Sequence, residues 1–194
     1  MRVEQEDDEM RIILDGMGGD NAPAAVVEGA VLAMKEMPHE IVFVGQEEVI
    51  REELKKYKYN EAQVSIVDAR EVISNDEAPV RAVRSKKDSS IVKGINMVKN
   101  GEGDIFISAG STGALLSGGL FILGRIQGID RPALACIYPI VGGRASLLVD
   151  AGANSECKPN NLLEFGIMGN LYMEKVIGRE NPRVGLVNIG SESK

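Results

Sequence analysis

Four short glycine-rich turns carry most of the residues that could do chemistry in this sequence. They are residues 15–20 (DGMGGD), 108–113 (SAGSTG), 150–154 (DAGAN) and 188–192 (NIGSE). Backbone N–H groups in such turns, placed at the start of a helix, favour an anion because free donors and the helix dipole both attract negative charge. The turns therefore predict an anion site. Ser111 and Thr112 are its first candidates, and an ordinary helix N-cap is the alternative for any single turn.

Basic side chains that could bind the same anion are concentrated in one segment. Arg81, Arg84, Lys86 and Lys87 lie within seven residues, and Lys158 stands close to a predicted helix start. Arginine binds phosphate or carboxylate through two parallel hydrogen bonds. The segment predicts contact with an anionic substrate or an acidic partner, and a solvated surface is the alternative.

The acidic residues of the turns, Asp15, Asp20 and Asp150, are expected to orient these cations. Binding of a metal is the alternative, but their spacing matches no metal-ligand pattern, so no metal is predicted and Mg²⁺ stays open without support. The chain lacks the G-x-G-x-x-G and G-x-x-x-x-G-K-[ST] patterns of nucleotide sites and the G-x-S-x-G of many hydrolases. Its only histidine, His39, precedes a predicted strand. A Ser–His–Asp triad is therefore excluded.

The elements that must position these turns alternate between apolar strands and helices. Strands are predicted at 11–15, 40–45, 64–68, 104–108, 133–138, 146–150 and 183–188, and helices at 24–35, 47–57, from Ser89 or Ser90 to 99, 114–123 and 161–176. This alternation predicts an α/β fold with a mainly parallel sheet covered on both faces. In such a sheet the ligand binds outside the carboxyl ends of the strands, where the four turns lie.

Composition narrows the class of protein further. The chain has 194 residues, 44% of them hydrophobic, and a net charge of −7, which argues against a nucleic-acid binder. Residues 1–9 contain one Arg and five acids, and we interpret them as an acidic tail or an upstream start before Met10. Cys136 and Cys157 predict neither a disulfide framework nor a zinc site. With no signal peptide and no long apolar run, a cytoplasmic protein is expected.

Several longer motifs resemble one bacterial family. They are MRIILDGMGGDNAP, DEAPVRAVRSKKDSS, ISAGSTGALL, LGRIQGIDRPALA, DAGANSECKP and PRVGLVNIGSES, in this order from Met10 to Lys194. Together they resemble the phosphate acyltransferases of phospholipid synthesis, the acyl-carrier-protein:phosphate acyltransferase (PlsX) family. The resemblance implies transfer of a long-chain fatty acyl group from acyl carrier protein to inorganic phosphate, which yields an acyl phosphate. It also implies a three-layer α/β/α sandwich related to phosphotransacetylases and isopropylmalate dehydrogenases, a homodimer, no organic cofactor and peripheral contact with the membrane.

The resemblance also suggests roles for individual residues. Phosphate would be held by Ser111, Thr112 and nearby turn residues, and neutralised by Arg81, Arg84 and Lys158. Asn154 or Asn188 would donate to the thioester carbonyl oxygen. The complete candidate set comprises Asn154, Lys158 and Asn188 as catalytic residues and Asp15, Gly18, Gly19, Asp20, Arg81, Arg84, Ser111, Thr112, Gly113 and Asp150 as substrate-binding residues.

Two positions depart from the family pattern, which commonly has Asn where Ser111 stands and His where Asn21 stands. The family also continues beyond the last motif, so residues 10–194 are interpreted as its N-terminal portion, expected to be nearly inactive and poorly stable alone.

Two other functions stay open: a phosphotransacetylase-like enzyme that uses a coenzyme A thioester, and a non-catalytic module that binds acyl carrier protein. An acidic carrier would need an exposed basic patch, for which residues 81–87 are the candidate.

Overall fold

The chain divides into two compact units, Met1–Gly124 and Arg125–Lys194. The computed structural model describes residues 9–154 and 156–187. None of the helices in these described residues combines the length and the apolar character needed to cross a membrane.

The first unit is built on a four-stranded parallel sheet. Its strands are β1 (Arg11–Asp15), β2 (Glu40–Gly45), β3 (Val64–Asp68) and β4 (Ile105–Ile107), and their spatial order is β3-β2-β1-β4. The first three have the predicted boundaries, and the fourth is one residue shorter at each end. The parallel sheet predicted from the alternation of strands and helices is confirmed.

Five α-helices pack around this sheet: α1 (Ala24–Ala33), α2 (Glu47–Leu54), α3 (Pro79–Ser85), α4 (Ser90–Lys99) and α5 (Thr112–Gly118). A single 3₁₀ turn, Glu61–Gln63, precedes β3, and a π-helical turn, Gly119–Leu123, extends α5. Ser89 caps α4, as predicted, by accepting a hydrogen bond from the Val92 N–H. Helix α3 was not predicted.

The sheet separates two apolar layers. On one face, α1 and α2 pack on Ile41 and Phe43 of β2. On the other face, Met97 of α4 packs on Ile13 and Val42. A third cluster joins α3, α4 and α5 through residues that include Val83, Ile91 and Ala114. The first unit is therefore an α/β/α sandwich, as the fold prediction requires.

The second unit contains a β-hairpin and one long helix. Strands β5 (Ala135–Ile140) and β6 (Arg144–Val149) pair antiparallel, and α6 spans Pro159–Lys175. These strands were predicted as part of a parallel series. The connection at 141–143 is too short for a parallel crossover, and Gly142 and Gly143 have the positive φ angles that tight hairpin turns require. The strand predicted at 183–188 is wrong for residues 183–187, which are irregular and pair with no described strand.

Candidate functional site

The turns that follow β1 and β4 lie side by side at the carboxyl edge of the parallel sheet. The chain builds β1, β2 and β3 outward in one direction and then returns to place β4 on the other side of β1. This reversal of strand order is the point at which open α/β sheets form a ligand crevice. The fold therefore brings the first two predicted anion-binding turns to one place.

A buried carboxylate joins these two turns. The Asp15 side chain is 1% exposed. It accepts a hydrogen bond from the Ser108 hydroxyl at 2.7 Å and another from the Met17 N–H at 3.1 Å. The Gly110 N–H in turn donates to the Ser108 hydroxyl oxygen at 3.0 Å. Asp15 is thus committed to holding the turns together, which makes it a positioning residue for whatever binds there.

The close approach of the two turns depends on glycine. A Cβ atom at Gly18 would clash with the Asp15 carboxylate and would lie 2.8 Å from the Gly110 nitrogen. Gly19 has a φ of +105°, a backbone conformation that side-chain-bearing residues rarely adopt, and it packs against Ala109. Glycine at these positions therefore lets the two backbones meet without side chains between them.

Ser111 and Thr112 begin helix α5 directly after the second turn. Ser111 is buried, and its hydroxyl oxygen accepts a hydrogen bond from the Ala114 N–H at 3.3 Å. Ser111 therefore caps the helix, the alternative that the sequence left open, while its hydroxyl hydrogen is still a donor. Thr112 is exposed at the first residue of α5, where its hydroxyl can reach a ligand.

Helix α3 brings the basic segment against the start of α5. A Cβ at Gly113 would lie 2.6 Å from the Pro79 ring, so Gly113 serves the contact between the two helices. Arg81 and Arg84 are exposed, and the Arg84 guanidinium lies 5.4 Å from the centre of the Phe121 ring. This cation–π contact orients Arg84 and leaves its donors in solvent.

The two lysines of the segment are engaged with their own surroundings. Lys86 forms an ion pair with Glu77 at 2.7 Å and donates to the Val72 carbonyl. Lys87 donates to the Val83 carbonyl at 3.2 Å. The Lys86 contacts fasten the end of α3 to the loop that precedes it, whereas the Lys87 contact stays within the end of α3.

The third predicted turn lies in the second unit and is held together by hydrogen bonds to the Asp150 carboxylate. Burial raises the pKa of the Asp150 carboxyl, but hydrogen bonds from the Leu134 N–H, the Asn154 side-chain amide and the Asn154 and Ala153 N–H groups outweigh this and lower the pKa. The Asn154 amide donates to Asp150 at 3.0 Å and to the Pro132 carbonyl at 2.9 Å. Both donor positions of the amide are therefore occupied, which gives Asn154 a role in shaping the loop.

The remaining candidates are dispersed. Lys158 is exposed at the start of α6, where its backbone N–H donates to the Asn161 side chain at 3.0 Å. Asp20 is exposed at the end of the first turn. Asn188 lies outside the described residues. Across 9–154 and 156–187, the structure contains no cluster of three His, Cys, Asp or Glu side chains suited to a metal ion.

Sequence reasoning missed Ser108, although it is the only side chain that bonds directly to Asp15 among the described residues. The signal was present. Leu14 pairs with Ile107 in the parallel register, so the residues that follow them, Asp15 and Ser108, must face each other at the strand ends. Predicting the contact between Asp15 and Ser108 from the sequence required knowing that β4 is the neighbour of β1 in the sheet.

The sequence matches a known family over nearly its whole length: residues 10–194 match the family described as "Fatty acid synthesis protein". A relative from Clostridioides difficile (strain 630), named phosphate acyltransferase, is 51% identical over 183 residues, which are 94% of this chain and 54% of the relative. A phosphate acyltransferase from Alkaliphilus oremlandii (strain OhILAs) is 54% identical over 95% of this chain and 55% of its own length. This chain thus spans about half the length of the curated relatives it matches.

A solved structure shares the fold. A phosphotransacetylase from Streptococcus pyogenes superposes with a TM-score of 0.64 at 20% sequence identity, covering 89% of this chain and 56% of that one. At this identity the likeness concerns the fold alone.

Proposed function

The chain belongs to the fatty acid synthesis protein family, and from that premise we propose that it takes part in acyl transfer to inorganic phosphate. The observation that carries the proposal is the pair of interlocked glycine turns at the sheet's switch point, supported by the Asp15–Ser108 hydrogen bond. Small residues and backbone N–H groups in glycine-rich turns suit a small dianion. The relatives' name, phosphate acyltransferase, supports the same reaction class.

The proposed reaction needs no acylated side chain. A phosphate oxygen attacks the carbonyl carbon of a thioester, a C–O bond forms, and the C–S bond breaks. The thiolate leaves with the bonding electron pair and takes up a proton, and the product is an acyl phosphate. The protein must position phosphate and stabilise the oxyanion that develops on the carbonyl oxygen.

The residue roles follow from the geometry of the first unit. We propose that the Ser111 and Thr112 hydroxyls and the turn N–H groups of Gly18 and Gly19 hold phosphate. Arg81 and Arg84 of α3 neutralise it.

For the second unit, taken by itself, we propose that Lys158 binds an anionic group of the substrate and that Asn188 donates to the thioester carbonyl oxygen. Asp150 and Asn154 shape the loop before α6, since their polar groups bond to each other.

The proposal includes the partners of the complete enzyme. The acyl donor is an acyl carrier protein that bears a long-chain fatty acid, and the product serves phospholipid synthesis. The enzyme is a cytoplasmic homodimer with peripheral contact to the membrane. The family description supports a place in fatty acid synthesis; the carrier protein, the dimer, the location and the membrane contact rest on the resemblance of the sequence motifs alone.

Release of free thiol from a long-chain acyl-carrier-protein thioester, with and without phosphate, tests the reaction. We expect phosphate-dependent release by the complete enzyme and little release by residues 10–194 alone, with the coenzyme A thioester of the same acyl group as the comparison for donor preference. Replacing Ser111 and Thr112 by alanine should raise the KM for phosphate at least about tenfold, since each lost hydrogen bond to a charged group is worth about 1.5–3 kcal/mol. An unchanged KM would refute the assignment, and release that is independent of phosphate would refute the reaction.

A further inference from the structure

The end of helix α4 carries the only Asn–Gly pair in the sequence, Asn100–Gly101. Asparagine is among the chemically labile residues of proteins. The backbone nitrogen of the next residue can attack its side-chain carbonyl carbon, and glycine hinders this attack least because it has no Cβ. Both residues are exposed, so water reaches them. The chain therefore presents a reactive dipeptide on the surface of the first unit.

The local fold requires glycine after this asparagine. Asn100 is the C-cap of α4, and Gly101 has a φ of +74°, a left-handed conformation that favours glycine. The Gly101 N–H donates to the Val98 carbonyl at 3.1 Å. The Glu102 N–H donates to the Met97 carbonyl at 2.9 Å. Together these two hydrogen bonds form a Schellman motif, which ends many helices with glycine at this position.

The same motif keeps the pair unreactive while the helix end is closed. Attack requires the Gly101 nitrogen to approach Cγ of Asn100, because these atoms close the ring of a cyclic imide. With a ψ of −2° at Asn100, the Gly101 nitrogen instead eclipses the Asn100 backbone nitrogen and is turned away from Cβ. Nδ2 of Asn100 is also held, since it donates to the Glu102 carboxylate at 3.1 Å. Reaction therefore requires the last turn of α4 to open.

We propose that Asn100 is a site of spontaneous deamidation that is controlled by opening of the last turn of α4. The Gly101 nitrogen forms a bond to Cγ, the bond from Cγ to Nδ2 breaks, and Nδ2 leaves as ammonia with the proton that the Gly101 nitrogen loses. Water then opens the resulting cyclic imide at either carbonyl, which leaves aspartate or isoaspartate at position 100. Water is the only co-reactant.

Isoaspartate at position 100 loosens the junction between α4 and β4, because it adds a carbon atom to the main chain inside the Schellman motif. The carbonyl of Glu102 accepts a hydrogen bond from Nη1 of Arg11 at 3.1 Å. The carboxylate of Asp104 accepts one from the Arg11 N–H at 2.7 Å. These bonds tie the approach to β4 to the start of β1. The inference concerns the lifetime of the fold and does not depend on the proposed function.

Peptide mass spectrometry of the full chain, aged at mildly alkaline pH in native buffer and in urea, tests the proposal. Circular dichroism checks that the chain in native buffer is folded. In urea we expect Asn100 to convert faster than any other asparagine. Conversion in native buffer should be at least about fivefold slower, because opening sacrifices both hydrogen bonds of the motif. Equal rates in the two solvents would overturn the control by the helix end, and an unmodified Asn100 in urea would overturn the site.

Glu102→Pro removes one N–H of the Schellman motif and keeps the Asn–Gly pair. It should speed conversion in native buffer at least about twofold and leave the rate in urea unchanged. Glu102→Gln is the matched control, since it keeps the N–H and a side-chain acceptor, and it should convert like the wild type. Glu102→Pro that converts no faster than Glu102→Gln would contradict the proposed role of the motif.

Ageing should also lower the urea midpoint of the wild type but not that of Asn100→Gln, whose longer side chain must close a larger and less favourable ring. Asn100 is exposed, so this substitution leaves the fold intact. Equal losses of midpoint in the two chains would overturn the link between deamidation and the α4–β4 junction.

Discussion

Replacing Asp15 by alanine should destabilise the first unit more than any other single change at the candidate site. The carboxylate is 1% exposed and accepts hydrogen bonds from Ser108 and Met17. Hydrogen bonds to charged groups contribute about 1.5–3 kcal/mol each. Removing the carboxylate also removes its own desolvation cost. We therefore expect a loss of about 3 kcal/mol in the free energy of unfolding, the lower end of the sum for two bonds.

Urea denaturation followed by circular dichroism measures this loss as a lower midpoint at an unchanged slope. A loss of 3 kcal/mol also lowers Tm by about 6–12 °C for a chain of this size. Asp20→Ala is the matched control, because Asp20 belongs to the same turn and is exposed, and it should change stability by less than about 0.5 kcal/mol. Asp15→Asn keeps the shape and part of the acceptor capacity, so it should fall between the two. Equal midpoints for Asp15→Ala and Asp20→Ala would refute the account of the turns as linked through Asp15.

Two further predictions concern the turns themselves. Gly18→Ala places a methyl group against the Asp15 carboxylate and 2.8 Å from the Gly110 nitrogen. It should therefore lower the free energy of unfolding measured by urea denaturation by about 1–3 kcal/mol. Gly29→Ala, in α1, adds a Cβ that would meet nothing within 4 Å. It should be neutral or stabilising, and no difference in unfolding free energy between the two variants would contradict the close approach of the turns. The lowered pKa of Asp150 means that its ionised form stabilises the fold above the ordinary carboxyl pKa, and that this contribution disappears as the pH falls through the lowered value. Wild type should therefore exceed Asp150→Asn in unfolding free energy at pH 7, and the difference should shrink on acidification; a difference that is constant with pH would contradict this reasoning.

Much of the first unit follows from local sequence. Strands β1, β2 and β3 have the predicted ends because each is a short apolar run that stops at a turn residue. The start of α4 is equally local, since Ser89 is a good N-cap followed by apolar residues at helical spacing. Such elements are specified by the residues they contain.

Elements that depend on tertiary contacts were not predictable in the same way. Helix α3 is short and charged, and it is held by the packing of Pro79 on Gly113. The strands β5 and β6 were predicted as members of a parallel series. Their short connection instead makes them pair antiparallel. Residues 183–187 have the apolar character of a strand without a described partner to pair with.

Only part of the candidate site could be predicted from the sequence, because the rest depends on tertiary contacts. Glycine and serine in the turns indicated an anion site. The hydrogen bond between Asp15 and Ser108 depends on the order of the strands in the sheet, which cannot be inferred from either segment alone. Asn154, as an alternative to Asn188, was predicted to donate to the thioester carbonyl oxygen. The structure shows that Asp150 and Pro132 already take both of its donors.

The position of β4 also has a consequence for how the molecule folds. Neighbouring units such as β1-α1-β2 close over short stretches of chain, with Arg11 paired to Glu40. Asp15 and Ser108 are 93 residues apart, and closing a longer loop costs more chain entropy before any contact repays it. The crevice between β1 and β4 therefore has no precursor in the early local units. It arises at the step that docks β4, so any change that slows this docking delays the appearance of the binding site together with the completed sheet.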